Sequence, residues 1–432
     1  MKTNTAVRRP ATYTAEGAPA AKIGPESELR RTVMACMLWE DNFYENGKSI
    51  ADRIKTLVPK CRPEFVAACA YEARTKMKLR HAPLLLVREM ARTVPHTRLV
   101  GKLLPDVIQR ADELAEFVSI YWQDGKAPLS KQVKTGLAKA FGKFDAYALA
   151  KYNRDGAVKL RDVLFLCHAK PVDKAQEALW KKLVDGKLAT PDTWEVQLSG
   201  GADKKATFER LMAEGKLGAL AFLRNLRNMK EAGVDRTLVD FYANAVDIQR
   251  VLPFRFLAAA RAVPAWEDLL EPMMLRACEG REKLPGKTSV LLDVSGSMGS
   301  PVSGKSDITR LDAACGVAIL LRELCEEVEI MTFENKVAAV PPRRGFALRD
   351  AIGKPRGGTM LGNAVQVANA KPYDRLVILT DEQSHDRVGA PHGKGYMINV
   401  AAHQNGVGYG PWTHIDGWSE SVIDYIGETE KQ

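Results

Sequence analysis

The chain has 432 residues, enough for two or more domains with substantial cores. Hydrophobic residues make up 46% and charged residues 27%, which excludes wholesale disorder, a collagen-like repeat and a small disulfide scaffold. Lys and Arg number 63 against 53 Asp and Glu, and the excess is uneven. Residues 1–283 carry 48 basic and 35 acidic side chains, whereas the remainder carries 15 and 18. A polyanion is therefore expected on the first part of the chain.

Met1 to Pro10 lead into a polar, Ala/Gly-rich stretch with no signal-peptide core, and no run of about 18 apolar residues follows. A cytoplasmic protein with no membrane association is expected. Cys36, Cys61, Cys69, Cys167, Cys278, Cys315 and Cys325 form no CxxC pair and read as reduced thiols, mostly small core residues.

Residues 1–25, rich in Ala, Thr, Pro and Gly, read as a flexible amino-terminal arm. Residues 26–284 read as consecutive short helices broken by Pro or Gly, for example from Pro63, from Pro83, over Asp112 to Trp122 and over Lys216 to Leu226. Such helices cannot bury an apolar face singly, so they are expected to stack as pairs in a curved, solenoid-like array. Within it Ser130 to Lys187 holds 13 basic and 6 acidic residues. Lys131, Lys134, Lys139 and Lys143 recur at near-helical spacing, and Lys151, Arg154, Lys159 and Arg161 follow closely. Clusters of this kind neutralise phosphates with little sequence information, although a charge run is more often a solvated helical face. Tyr147, Tyr152 and Trp122 are available for base stacking, but at this spacing they suit a core better.

After Pro285 the period changes, and residues 285–432 read as a separate α/β open-sheet domain. Apolar runs at Ser289 to Val294, Val328 to Phe333, Arg375 to Asp381 and Tyr396 to Val400 alternate with helical segments at Thr309 to Leu324 and Leu361 to Ala368. That alternation implies a parallel sheet covered on both faces, with ligands at the carboxyl ends of its strands. There the chain reads Asp293-Val-Ser295-Gly-Ser297, and further along it supplies Thr359 and Asp381. One or two carboxylates with several hydroxyls form a hard oxygen set suited to a divalent cation such as Mg²⁺, left with appetite for an outside acidic ligand. A rival reading occupies the same loop. Gly299 to Ser306 matches the phosphate-cradling pattern of P-loop ATPases, with Lys305 as its lysine, yet six residues separate it from the strand end and Pro301 lacks an N–H.

His392, His403 and His414 recur every eleven residues, a spacing that puts no two on one helical face, and are expected in surface loops. No G-x-S-x-G elbow or Cys–His signature occurs, so no catalytic residues are expected and the protein reads as a non-enzyme.

A long helical array ahead of a D-x-S-x-S sheet domain resembles the Ro autoantigen family, whose members join a TROVE module to a von Willebrand factor A domain. The resemblance is carried by Arg110 to Phe117, Leu129 to Phe141, Lys151 to Gly156, Val158 to Pro171 and Leu217 to Met229, and it extends over nearly the whole chain. With no animal-type extension, the chain is similar to a compact bacterial or phage member. What the resemblance implies is an α-helical HEAT-like repeat ring followed by a Rossmann-like A domain. It further implies binding of small noncoding, Y-like RNA on the basic surface and of misfolded RNA 3′ ends in a central hole, in RNA quality control alongside an exoribonuclease. By the same analogy Asp293, Ser295, Ser297, Thr359 and Asp381 match a metal-ion-dependent adhesion site, which would serve as a protein-binding adaptor. Lys151 and His168, with Lys170 close by, match the stretch that contacts Y RNA, whereas Asp155 is acidic where a basic residue would help.

Overall fold

The structure is a computed structural model that describes residues 12–34, 47–153, 155–249, 251, 253–302, 307–401, 403–417 and 421–430. It divides into two compact units. One comprises residues 48–251 with 259–273, and the other joins the amino-terminal residues up to 47 to residues 252–258 and 274–432. This corrects the expected division at the amino terminus. Residues 12–34 are neither a free arm nor part of the helical unit: their hydrogen bonds tie them to the sheet-containing unit, as when Thr14 Oγ1 donates to the Ser384 carbonyl at 2.8 Å.

The helical unit is built from short amphipathic helices in succession, including Pro63–Thr75, His81–Arg92, Thr97–Val107, Asp112–Tyr121, Lys131–Phe141 and Leu160–Cys167. Local chemistry sets their starts. Pro63 occupies a first turn, where its missing N–H costs nothing, and Ser130, Asp145, Asp173 and Asp203 cap others by accepting a backbone N–H. Neighbours in sequence pack on one another, and helix Lys131–Phe141 lies along Thr97–Val107. That approach needs Gly136, since a Cβ there would stand 2.8 Å from the Leu104 Cβ.

The other unit carries a six-stranded sheet of β1 (Leu284–Asp293), β2 (Cys325–Phe333), β3 (Val337–Ala339), β4 (Arg375–Thr380), β5 (Lys394–Asn399) and β6 (Thr413–Asp416), ordered β3-β2-β1-β4-β5-β6. All pairings are parallel except β2 with β3, so the sheet is mixed rather than wholly parallel as expected. Helix Leu361–Asn369 covers the face bearing Leu291, Ile378 and Met397, and helix Arg310–Leu324 packs on β1 and β2. With apolar side chains buried on both faces, the central strands read as continuous hydrophobic runs. Strand order reverses between β1 and β4, which opens a crevice at their carboxyl ends. Cys61, Cys69, Cys167, Cys278, Cys315 and Cys325 are buried, while Cys36 lies outside the described residues. Among the described residues no helix is long and apolar enough to cross a membrane.

Candidate nucleic-acid interface and cation site

On the helical unit, the structure gathers Lys131, Lys134 and Lys139 from one helix with His168 around a cavity of about 580 Å³, whose wall includes Leu129, Thr135, Ala138 and Cys167. Ser130 fixes the start of the lysine-bearing helix by accepting the Val133 N–H. His168 ends helix Leu160–Cys167 in the left-handed conformation, φ 53° and ψ 41°, which histidine adopts more readily than most residues. Its ring is exposed rather than held in the core. Burial raises the pKa of the Cys167 thiol, which keeps this sulfur a protonated thiol at neutral pH.

The remaining basic candidates divide. Lys143 does not join the cluster: its ammonium donates to the carbonyls of Pro105 and Ile108 at the end of helix Thr97–Val107, and burial lowers its pKa. Lys159 is paired with Asp155 at 2.6 Å, so the acidic residue noted in the sequence consumes a basic neighbour. Arg161 lies 3.9 Å from Asp162, Lys170 is exposed, and Arg154 lies outside the described residues. The Lys151 ammonium stands 5.7 Å and 5.8 Å from the ring centroids of Tyr147 and Tyr152. Tyr147 is 52% exposed, against the expectation of a core residue, and Tyr152 lies under the Arg110 guanidinium at 4.6 Å.

The second site sits where strand order reverses. Asp293 ends β1 and Asp381 follows β4, both fully buried. Asp293 Oδ1 accepts the Ser295 N–H at 2.8 Å and Oδ2 accepts the Thr380 hydroxyl at 2.6 Å. Ser295 Oγ lies 3.2 Å from Ser297 Oγ, which donates to Asp381 Oδ2 at 2.5 Å. Thr359 is buried on a loop that meets this one, the Gly296 N–H donating to the Gly357 carbonyl. Burial, and then the Asp381 charge, push Asp293 up to about 7. Arg310 approaches Asp381 at 3.5 Å. Two buried carboxylates flanked by serine hydroxyls are the donor set of a hard divalent cation, so the residues fit one. Among the described residues no group of three or more His, Cys, Asp or Glu is arranged for a metal, so any cation here depends on the hydroxyls.

Half of the rival phosphate loop, 303–306, lies outside the described residues, Lys305 among them. The next helix starts only at Arg310, where Thr309 accepts the Asp312 N–H and Asp312 in turn accepts that of Thr309. Its first turn is closed by its own side chains.

Sequence reasoning missed the surroundings of this site. Arg31, fully buried, pairs with Glu382, donates to the His403 and Asn405 carbonyls and lies 3.1 Å from His414 Nε2. His414 is a residue of β6 with a largely enclosed side chain, contrary to the loop expectation: it pairs with Glu382, lies 3.3 Å from Asp416 and stacks on Tyr409. His392 stacks on Tyr373 instead, and the His403 ring meets the Asn405 backbone, so the three histidines do not converge. Burial alone would lower the His414 pKa, but the Asp416 and Glu382 carboxylates overcome it and hold the value up at about 9. Stability from this ring is thus complete below its ordinary value of 6.5 and fades as pH rises through 9. Denaturation midpoints should fall across that window, less steeply in His414→Gln. Equal slopes would refute the assignment.

Comparison with known proteins agrees with this architecture. The model of the TROVE domain matches residues 185–301, the later helices through the D-x-S-x-S loop. In structure, the Deinococcus radiodurans RO (RSR) protein superimposes with a TM-score of 0.60 over 93% of this chain and 97% of that one, at 18% identity. The chain thus carries a match to the TROVE domain over residues 185–301 and has the fold of that Ro protein. Telomerase protein component 1 of Mus musculus is 34% identical over 90 residues, and that of Rattus norvegicus 35% over 79. These stretches cover 19% and 17% of this chain and 3% of each relative. The matched TROVE segment begins after Lys170, so the basic cavity lies outside it, whereas Asp293, Ser295 and Ser297 lie within.

Proposed function

We propose that the protein is a noncatalytic RNA-binding protein that holds a small structured, Y-like noncoding RNA on the basic face of its helical unit. One observation carries the reading: Lys131, Lys134, Lys139 and His168, from two helices, face a single cavity with an apolar wall. Lysines grouped in this way hold phosphates by charge, and an exposed Tyr147 beside Lys151 offers a stacking surface. The match of residues 185–301 to the TROVE domain points the same way. Reception of misfolded RNA 3′ ends, and their delivery to an exoribonuclease, extend this reading on the resemblance to Ro proteins.

Binding of a structured small RNA should weaken steeply with salt. If three of these side chains contact phosphates, affinity falls about 40-fold between about 50 and 200 mM salt. The triple variant Lys131→Ala, Lys134→Ala, Lys139→Ala should lower the slope of log K against log salt by about three. Fluorescence anisotropy at several salt concentrations reads this, and an unchanged slope would sink the proposal.

A second, compatible reading concerns the sheet unit: Asp293, Ser295, Ser297, Thr359 and Asp381 hold a divalent cation, Mg²⁺ by ligand hardness, that captures an acidic residue of a protein partner. It is favoured by the direct link from Ser297 to Asp381 across the crevice. Asp293→Asn keeps the shape and one acceptor oxygen for the Ser295 N–H while removing one of two like charges. It should weaken Mn²⁺ binding at least about tenfold without lowering the cation-free melting temperature. Titration by electron paramagnetic resonance, beside a thermal melt, measures both.

A further inference from the structure

We propose that the segment from Thr14 to Arg31 is a positioning strap for the cation site, through which Glu16 and Arg31 set the affinity for a divalent cation that neither would touch. The inference rests on the cation reading above. It starts from an unusual grip: each of the four residues after Asp381 is held by the strap. Arg31 pairs with Glu382. The Ala15 N–H donates to Gln383 Oε1 at 2.7 Å. Thr14 Oγ1 donates to the Ser384 carbonyl at 2.8 Å, and Glu16 lies 3.0 Å from His385 Nε2.

The gripped segment is one that would not hold itself. Glu382 has φ 59°, a left-handed conformation that disfavours a side chain, and three of the four residues are polar and fully buried. Their hydrogen bonds run straight into the site. The Gln383 N–H donates to Asp381 Oδ1 at 3.3 Å, and the Glu382 N–H donates at 3.1 Å to the Thr380 hydroxyl that itself donates to Asp293. His385 reaches the other loop: its N–H donates to the Thr359 carbonyl at 2.9 Å, and its Nδ1 accepts the Thr359 N–H at 3.0 Å. An accepting Nδ1 leaves the proton on Nε2, where Glu16 receives it. The chain Glu16, His385, Thr359 therefore orients a ligand-bearing loop as a carboxylate orients a metal-bound histidine.

The strap is itself a built element. The Thr14 N–H donates to the Ala18 carbonyl and the Ala18 N–H to Thr14 Oγ1 in a tight turn closed by a bridge between Tyr13 and Pro19, and the Ala21 N–H donates to the Gly406 carbonyl. Glu16 and His385 are both partly exposed, so substitution there leaves no buried charge behind.

The test titrates Mn²⁺ alone into the full chain and reads bound ion by electron paramagnetic resonance, with thermal melts in parallel. Glu16→Ala should raise the Mn²⁺ Kd about tenfold, whereas Glu16→Gln, which keeps an oxygen facing Nε2, should stay within about twofold of wild type. Both should melt like wild type, which separates positioning from folding. Wild-type affinity in Glu16→Ala, with binding abolished by Asp293→Asn, would overturn the strap and leave the cation site standing. A loss that Glu16→Gln fails to restore would also overturn it. Absence of Mn²⁺ binding by the wild-type chain would remove the cation reading, and the strap with it.

Discussion

Arg31→Met is expected to lower stability by about 3–5 kcal/mol, the cost of removing one partner from a buried ion pair. Both side chains of the Arg31–Glu382 pair are fully enclosed. Methionine preserves much of the volume but deletes every donor, taking one hydrogen bond each from the carbonyls of His403 and Asn405 and the guanidinium charge from Glu382. Glu382 would then keep His414 and a long bond from the Gly408 N–H against its charge, and a Cβ on Gly406 or Gly408 would already collide with its carboxylate, so it has no room to turn away. Water cannot replace the guanidinium without loosening the strap. Adding Glu382→Gln to Arg31→Met should therefore recover part of the loss, since the stranded charge goes with it. Urea denaturation of the two variants measures this, and simple additivity would show that the pair is not coupled.

The contacts of Arg31 also mark the limit of what the sequence made legible. Strands β1, β2, β4 and β5 were readable because a strand buried on both faces is a run of apolar residues, as in Val290 to Leu292 or Leu376 to Leu379. Strands β3 and β6 were not. They lie at the sheet edges, three and four residues long and partly exposed, and Thr413-His-Ile-Asp416 has no apolar run. Among the candidate ligands, Asp293, Ser295 and Ser297 were legible as one local motif, and Asp381 because it follows an apolar run. Arg31 and Glu16 were hidden because their partners lie 351 and 369 residues along the chain, a separation that no local period encodes. Lys143 was misjudged for a related reason: helical spacing aligned it with Lys139, but the packing of helix Lys131–Phe141 on Thr97–Val107 brings it to free carbonyls.

In the helical unit the largest effect is expected from Glu113→Ala, again about 3–5 kcal/mol. Glu113 is fully buried and accepts four hydrogen bonds: two from Arg74 at 2.7 and 2.9 Å, and one each from the Gln109 and Arg110 N–H groups at 2.8 and 3.1 Å. A single carboxylate thus closes the turn before helix Asp112–Tyr121 and neutralises the Arg74 guanidinium, which also donates to the Val107 carbonyl. Three helices meet on it. Alanine would leave Arg74 buried among Arg80 and Arg110 with its compensating charge gone. Because Arg110 carries Tyr152 on its guanidinium, and Tyr152 borders Lys151, the loss should also reach the basic surface. RNA affinity of Glu113→Ala, measured where the variant is still folded, should fall modestly, whereas Arg74→Met with Glu113→Met should restore most of the stability by removing both charges together. If the single variant melts like wild type, the buried pair is not what joins these helices, and the positions of Lys151 and Tyr152 must be fixed by apolar contacts alone.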